Sequence, residues 1–223
     1  MKKLNYILEH PVGLGIPLCL NPFNMKKLII LVLIVAACGQ VQTVRQYDDA
    51  EHLTETYSID KKTKQKEGKY KSFDTLGNVV TEAVYHQDSL HGVRKVFFSD
   101  GTPQVIENYQ HGLLHGNYTT FYENGDTSLT GTYIAGKMEG EWRGYYNSGQ
   151  LKEIVQFEGS NENGPFVEYH ANGQLKAKGN YLDGDQEDGL LELYDENGTL
   201  ERKMQCNKGR CSTIWQLTVE EKQ

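Results

Sequence analysis

The chain has 223 residues, 38% of them hydrophobic and 24% charged, with a formal net charge of −7. An acidic surface of this kind repels nucleic acid, and the sequence contains no basic groove, so a nucleic-acid-binding role is excluded. The same charge argues against docking on anionic lipid headgroups.

Residues 1–24 contain three prolines and no clean periodicity. They read as an extension upstream of the true start at Met25. Residues 25–37 read as a secretion signal. Lys26 and Lys27 supply the charged head, Leu28 to Val35 an apolar run, and Val35-Ala36-Ala37 the small residues before a cleavage point. Eight apolar residues and two alanines are too short to span a bilayer as a helix. The Val-Ala-Ala-Cys ending resembles a bacterial lipobox. That resemblance implies a diacylglycerol on Cys38, cleavage before it, and a lipid-anchored protein in the bacterial cell envelope, at the outer membrane. Removing residues 1–37 takes away four lysines and one glutamate and turns −7 into −10. Residues 38–67 are polar and charged and read as a tether and an opening segment.

From residue 68 to 212 one unit is written six times. Gly68, Gly92, Gly116, Gly140 and Gly164 are 24 apart, and Gly189 follows after 25. Gly77, Gly101, Gly125, Gly149, Gly173 and Gly198 run in step. A fixed period in this range marks a repeat architecture, in which each unit needs its neighbours to bury its apolar side. Within a unit, an aromatic stretch leads to an Asn-Gly or Asp-Gly pair and then to a second mixed stretch. Such pairs supply the positive φ angles of a type I′ hairpin turn. No window shows a capped helical period. The fold class is therefore all-β: an elongated antiparallel meander of β-hairpins with 24-residue repeats and roughly twelve short strands.

Aromatic residues recur at fixed offsets. Two positions after the first glycine stand Tyr70, Arg94, Tyr118, Trp142, Phe166 and Leu191; five after it stand Phe73, Phe97, Phe121, Tyr145, Tyr169 and Tyr194. These rows close a thin core. Repeats three to five carry the densest aromatics, a residue type enriched at binding hot spots. The candidate binding surface is Tyr122, Trp142, Tyr146, Phe166 and Tyr169. Within it, Trp142 and Phe166 are expected to behave as core, and Tyr122 and Tyr146 as the more exposed pair.

Residues 116–189 carry a pattern that resembles the MORN-type repeat in its bacterial variant. Tyr118, Phe121, Tyr122, Asn124, Gly125, Tyr133, Gly136 and Gly140 hold it in one unit, and the next two units repeat it. The resemblance covers about residues 62–212. Bacterial proteins built this way look like the group labelled YwqK-type antitoxins. It implies a hairpin array without an active site and, in some members, an antitoxin role beside a partner toxin.

The chain end is different. Cys206 and Cys211 lie across a predicted turn, and a disulfide closing that short loop fits an oxidising envelope. Residues 213–223 read as a closing strand and tail around Trp215. No catalytic set is recognisable, and no cofactor is called for. No metal site is expected either. His91 and His115 are 24 apart, which places them in adjacent loops too far apart to share an ion. The acidic stretch Asp183–Gly189 lacks the closing ligand of a calcium loop, because Tyr194 stands where it belongs. The chain is expected to be no enzyme. Its leading function is a non-catalytic envelope lipoprotein whose repeat sheet is a scaffold for a protein partner still to be identified. The alternatives are an antitoxin or immunity protein that neutralises a toxin, to which the negative charge is suited, and a glycan-acting enzyme, for which no carboxylate pair is singled out by spacing.

Overall fold

The computed structural model describes residues 40–218 and the backbone of residues 6 and 7. Cys38 and the apolar run before it lie outside the described residues. Seventeen strands form one antiparallel sheet, and no helix occurs among the described residues. The strands are β1 (Tyr6–Ile7), β2 (Val41–Tyr47), β3 (Leu53–Asp60), β4 (Lys66–Phe73), β5 (Val79–His86), β6 (Ser89–Leu90), β7 (Gly92–Phe97), β8 (Pro103–Gln110) and β9 (Leu113–Phe121). They continue with β10 (Thr127–Ile134), β11 (Lys137–Tyr145), β12 (Leu151–Glu158), β13 (Asn161–Tyr169), β14 (Leu175–Tyr181), β15 (Gly189–Tyr194), β16 (Leu200–Asn207) and β17 (Arg210–Gln216). Pairing follows chain order throughout; β6 and β7 are one strand interrupted at His91, and both pair with β5. β1 adds two residues to β2, Tyr6 opposite Gln46 and Ile7 opposite Arg45.

The two glycine series do different work. Gly77, Gly101, Gly125, Gly149, Gly173 and Gly198 all have φ between 79° and 88°. Each closes a three-residue loop. The amide of Gly125 donates to the carbonyl of Tyr122 (2.9 Å), and that of Tyr122 to the carbonyl of Asp126 (2.8 Å). This is a type I turn followed by a left-handed residue, not the type I′ turn expected at Asn-Gly. Asn124 sits inside the type I turn, and only the glycine is left-handed. The two-residue turns lie on the opposite long side of the sheet. Ala135-Gly136 and Gly159-Ser160 have both residues at positive φ, as a type I′ turn requires. The first glycine series, Gly68 to Gly189, also has positive φ but belongs to strands: Gly92 and Gly189 open β7 and β15, and Gly116, Gly140 and Gly164 fall within shifts of register. Those glycines mark bulges, not loops.

Residues 41–60, within the stretch expected to hold a tether and an opening segment, form a complete hairpin. β2 and β3 pair from Val41 opposite Asp60 to Tyr47 opposite Leu53. The register slips at Tyr47, as it slips at Phe73, Phe97, Tyr145, Tyr169 and Tyr194 in later units. The turn is the same as well, with Glu51 at φ 65° in the glycine position.

The core is one side chain thick. A single row crosses the sheet through Tyr57, Tyr70 and Ala83, then Arg94, Glu107 and Tyr118, then Trp142, Val155 and Phe166, and on to Leu191 and Met204. Its most buried members are Trp142 at 2% exposure and Phe166 at 4%. Glycines make room for the large rings. Gly131 lies under the Trp142 indole and Gly179 under Phe166 and Leu191. Beyond Phe166 the row joins a small cluster with Ala177, Leu191 and Cys206.

Candidate functional site

The buried row separates the residues singled out in the sequence. Trp142 and Phe166 are core, as expected of them. The Trp142 ring lies 5.2 Å from Tyr133, 5.8 Å from Tyr118 and 6.0 Å from Phe157, centre to centre. Phe166 stacks on Tyr181 at 4.2 Å. Tyr122 and Tyr146 are the more exposed pair beside the buried Trp142 and Phe166, but they are not free. Both are half-buried, and their hydroxyls are occupied: Tyr122 Oη donates to the Tyr145 carbonyl (2.6 Å) and Tyr146 Oη to the Tyr169 carbonyl (2.8 Å). His170 Nε2 meets the Tyr194 carbonyl in the same way at 3.0 Å. These side chains stitch each unit to the next. Tyr169, also half-buried, contributes its carbonyl. The five residues of the candidate surface therefore hold the array together, and they do not form one exposed patch.

The opposite long side carries its own stitches. The amides of Gly112, Gly136 and Ser160 donate to the carbonyls of Leu90, Leu114 and Met138, each one unit earlier, at 2.8–3.0 Å. Cys206 and Cys211 face each other across β16 and β17 and form a disulfide. His91 packs against His86 and His111, at 5.9 and 5.6 Å between ring centres, instead of forming a row with His115. Among the described residues, no group of three or more His, Cys, Asp or Glu side chains is placed to hold a metal ion.

Two charged sites interrupt the apolar row or flank it. Glu107 is 7% exposed at its side chain and is bonded by Arg94 and by Tyr109 Oη (3.0 Å). Glu192, on the other face, is 10% exposed and lies between Lys178 (2.7 Å) and Lys203 (3.0 Å). Hydrogen bonds from those two ammonium groups pull its carboxyl down to about 2.

A different arrangement surrounds Trp142. A cavity of about 110 Å³ is lined by Leu129, Met138, Trp142, Val155 and Phe157, with the carboxylates of Glu153 and Glu162 in the same wall. The indole Nε1 is buried and has no hydrogen-bond partner. Burial raises the Glu162 carboxyl, and the negative charges of Asp185 and Glu153 raise it further. Gly144 makes space for one acid, since a Cβ there would lie 2.6 Å from Glu153 Oε1. Sequence reading found Trp142 but not the two acids: the register sets Glu153 opposite Gly144 and Glu168, and the bulge in β13 sets Glu162 opposite Phe157.

Five stretches match the family described as MORN repeat variant: residues 90–111, 114–135, 138–158, 162–183 and 187–205. They cover the hairpins from β6 to β16, and the earlier hairpins of the sheet lie outside them. No curated protein matches the chain. Among solved structures, the crystal structure of TcdB2-TccC3-Cdc42 shares 10% identity over 77% of this chain and 12% of that one, with a TM-score of 0.23. A porin-like protein from Bacteroides uniformis shares 7% identity over 78% of this chain and 94% of that one, with a TM-score of 0.20.

Proposed function

We propose that this chain, an array of MORN repeat variants, is a non-catalytic binding scaffold held at a bacterial cell envelope by a lipid on Cys38. The observation that carries the binding role is the single-layer sheet. It has one thin row of core residues, so most side chains on both faces remain open to a partner. The anchor is supported by Lys26-Lys27, the apolar run and Val35-Ala36-Ala37-Cys38. β2 begins at Val41, three residues after Cys38, so the anchored sheet starts close to the membrane. In that form residues 1–37 are absent and β2 is an open edge, able to accept a strand from a partner.

Labelling cells with radioactive palmitate and partitioning them into detergent tests the anchor. The wild-type protein is expected in the detergent phase with label, and Cys38→Ser in the aqueous phase or uncleaved, without label. Equal behaviour of the two would overturn the lipoprotein reading. The neutralising-partner alternative, in which the acidic chain captures a basic toxin, requires unlabelled protein in the soluble fraction, so the same fractionation separates the two readings.

A further inference from the structure

The face of the sheet opposite the buried row carries a shallow hollow of about 240 Å³ between β4, β5 and β7. Its floor is a block of six side chains, two from each strand. Lys71 stands opposite Glu82, and Glu82 opposite Lys95. Lys69 stands opposite Val84. Val93, two residues before Lys95 on β7, completes the second row. Two properties set this block apart. Its charge is reversed: three lysines against one glutamate give +2, on a chain whose net charge is −7. Lys71 Nζ pairs with Glu82 at 2.7 Å, which neutralises the one acid of the block. Lys69 and Lys95, at opposite corners, have no ion pair among the described residues. Glu67, two residues before Lys69, is taken by His86 Nδ1 (3.1 Å) and by the Gln87 amide (3.2 Å). The block is also apolar where it is open, with Val84 39% exposed and Val93 43%. Adjoining aliphatic groups rimmed by charge mark an interaction site, which a single exposed side chain does not.

The occupant has to answer both properties, so it is negative and carries hydrocarbon between its negative groups. Duplex DNA has a phosphate charge every ~1.7 Å of axis and no aliphatic group to offer. DNA and an anionic membrane are also extended, so they would meet the −9 that the rest of the chain carries. A short acidic segment of a protein meets only the hollow, because salt screens exposed charges beyond about 8–10 Å. The two corner lysines are two strand spacings and two residues apart, a diagonal of about 12 Å. Along an extended chain, residues i and i+4 lie about 13 Å apart on one face, with i+2 between them. We propose that this hollow docks an acidic protein segment of the form Glu-x-aliphatic-x-Glu, with its carboxylates on Lys69 and Lys95 and its aliphatic side chain on Val84 and Val93. Such docking rests on the binding-scaffold reading and deepens it, naming the face used and the chemistry of the partner.

Nitrogen-15 spectra of the labelled full chain, titrated with capped pentapeptides, provide the test. Glu-Ser-Leu-Ser-Glu is the probe. Gln-Ser-Leu-Ser-Gln lacks its charges, and Glu-Ser-Ser-Ser-Glu lacks its hydrocarbon. Solvated ion pairs are weak, so the titrations run into the millimolar range. The probe is expected to move the amide peaks of Lys69, Val84 and Lys95 along a saturating curve, at a concentration about fivefold or more below that needed by either control. Raising the salt from about 50 to 500 mM should weaken it. Lys69→Gln with Lys95→Gln should bring the probe to the level of the uncharged peptide. Lys137→Gln, at an exposed lysine on β11, should change nothing. The unshifted peaks of β9 to β16 check the fold of each variant. No saturating movement, a control peptide as tight as the probe, or unchanged binding in the double variant would overturn the proposal. So would a stronger movement of the same peaks by phosphatidylglycerol vesicles or by duplex DNA. Those results would leave the lipid-anchored scaffold standing, because lipid labelling and fractionation test it separately.

Discussion

Gly131 is glycine because Trp142 occupies the space its side chain would need. A Cβ there would lie 2.1 Å from the indole ring, and at Gly179 one would lie 2.8 Å from the Phe166 ring. A sheet one layer thick has no second layer to absorb such a displacement, so the ring would have to leave its place. Gly131→Ala should destabilise by about 2–3 kcal/mol, at the upper end of ordinary overpacking. Urea unfolding measures this, and a loss below about 0.5 kcal/mol, the size of an ordinary surface change, would show that the row is not tightly packed at Trp142. Glu192 gives a prediction with a pH axis. Its folded carboxyl is held at about 2 by Lys178 and Lys203, below the roughly 4.3 of an unfolded chain. A depressed folded value means stability that is fully present above the unfolded value and lost as pH falls through the folded one. Glu192→Gln should therefore cost about 1–2 kcal/mol at neutral pH, a moderate figure because both lysines are well exposed. The gap between wild type and variant should close between about pH 4.5 and pH 2. Equal stability at neutral pH, or a gap that persists at pH 2, would refute the assignment.

At the scale of the hairpin, the informative unit is the one that departs from the rest. Where other repeats set Tyr70, Tyr118, Trp142 or Phe166 in the row, β7 sets Arg94, and its partner on β8 is Glu107 in place of Ala83 or Val155. Removing the arginine alone leaves a carboxylate only 7% exposed without its counter-charge. Arg94→Ala should cost about 2–4 kcal/mol, whereas Arg94→Tyr with Glu107→Val, which restores the pattern of the neighbouring units, should be neutral or stabilising. Thermal unfolding of the single and double variants decides it, and a double variant less stable than the single one would mean the pair contributes more than packing can replace. The 24-residue glycine spacing and the aromatic offsets made this row legible in the sequence, and with it the sheet, its hairpins and the core roles of Trp142 and Phe166. Turn type was not legible from the Asn-Gly pairs. A two-residue and a three-residue loop both place glycine after asparagine, and the bulge at Phe121 or Tyr145 selects between them. The hairpin of β2 and β3 escaped notice because Glu51 stands where glycine marks the other turns, and because Tyr47 precedes Phe73 by 26 residues instead of 24. The hydroxyl stitches of Tyr122 and Tyr146 reach across 23 residues, a contact that needs the register and not only the period.

Taken as a whole, the sheet is close to one-dimensional: each strand leans on the strands before and after it in the chain, apart from the β6–β7 break. In such an array stability is a sum of unit and neighbour terms, so damage at one end is felt locally. The Cys206–Cys211 disulfide lies at that end and ties β16 to β17. β17 also exposes Ile214 at 59% and Trp215 at 39%, so little burial holds the last strand down without the covalent link. Five residues of sequence separation make a short loop, and closing it is worth about 2 kcal/mol by chain entropy. Reduction, or Cys211→Ser, should therefore speed amide exchange in β16 and β17 by about 30-fold, the rate equivalent of that energy where exchange follows local opening. Exchange in β8 and β9 should not change, since six strands, β10 to β15, separate them from the last hairpin. Hydrogen-exchange mass spectrometry reads both regions in one experiment. A uniform rise across all the hairpins would show that the array unfolds as a single cooperative block, and the neighbour-by-neighbour account of its stability would then fail.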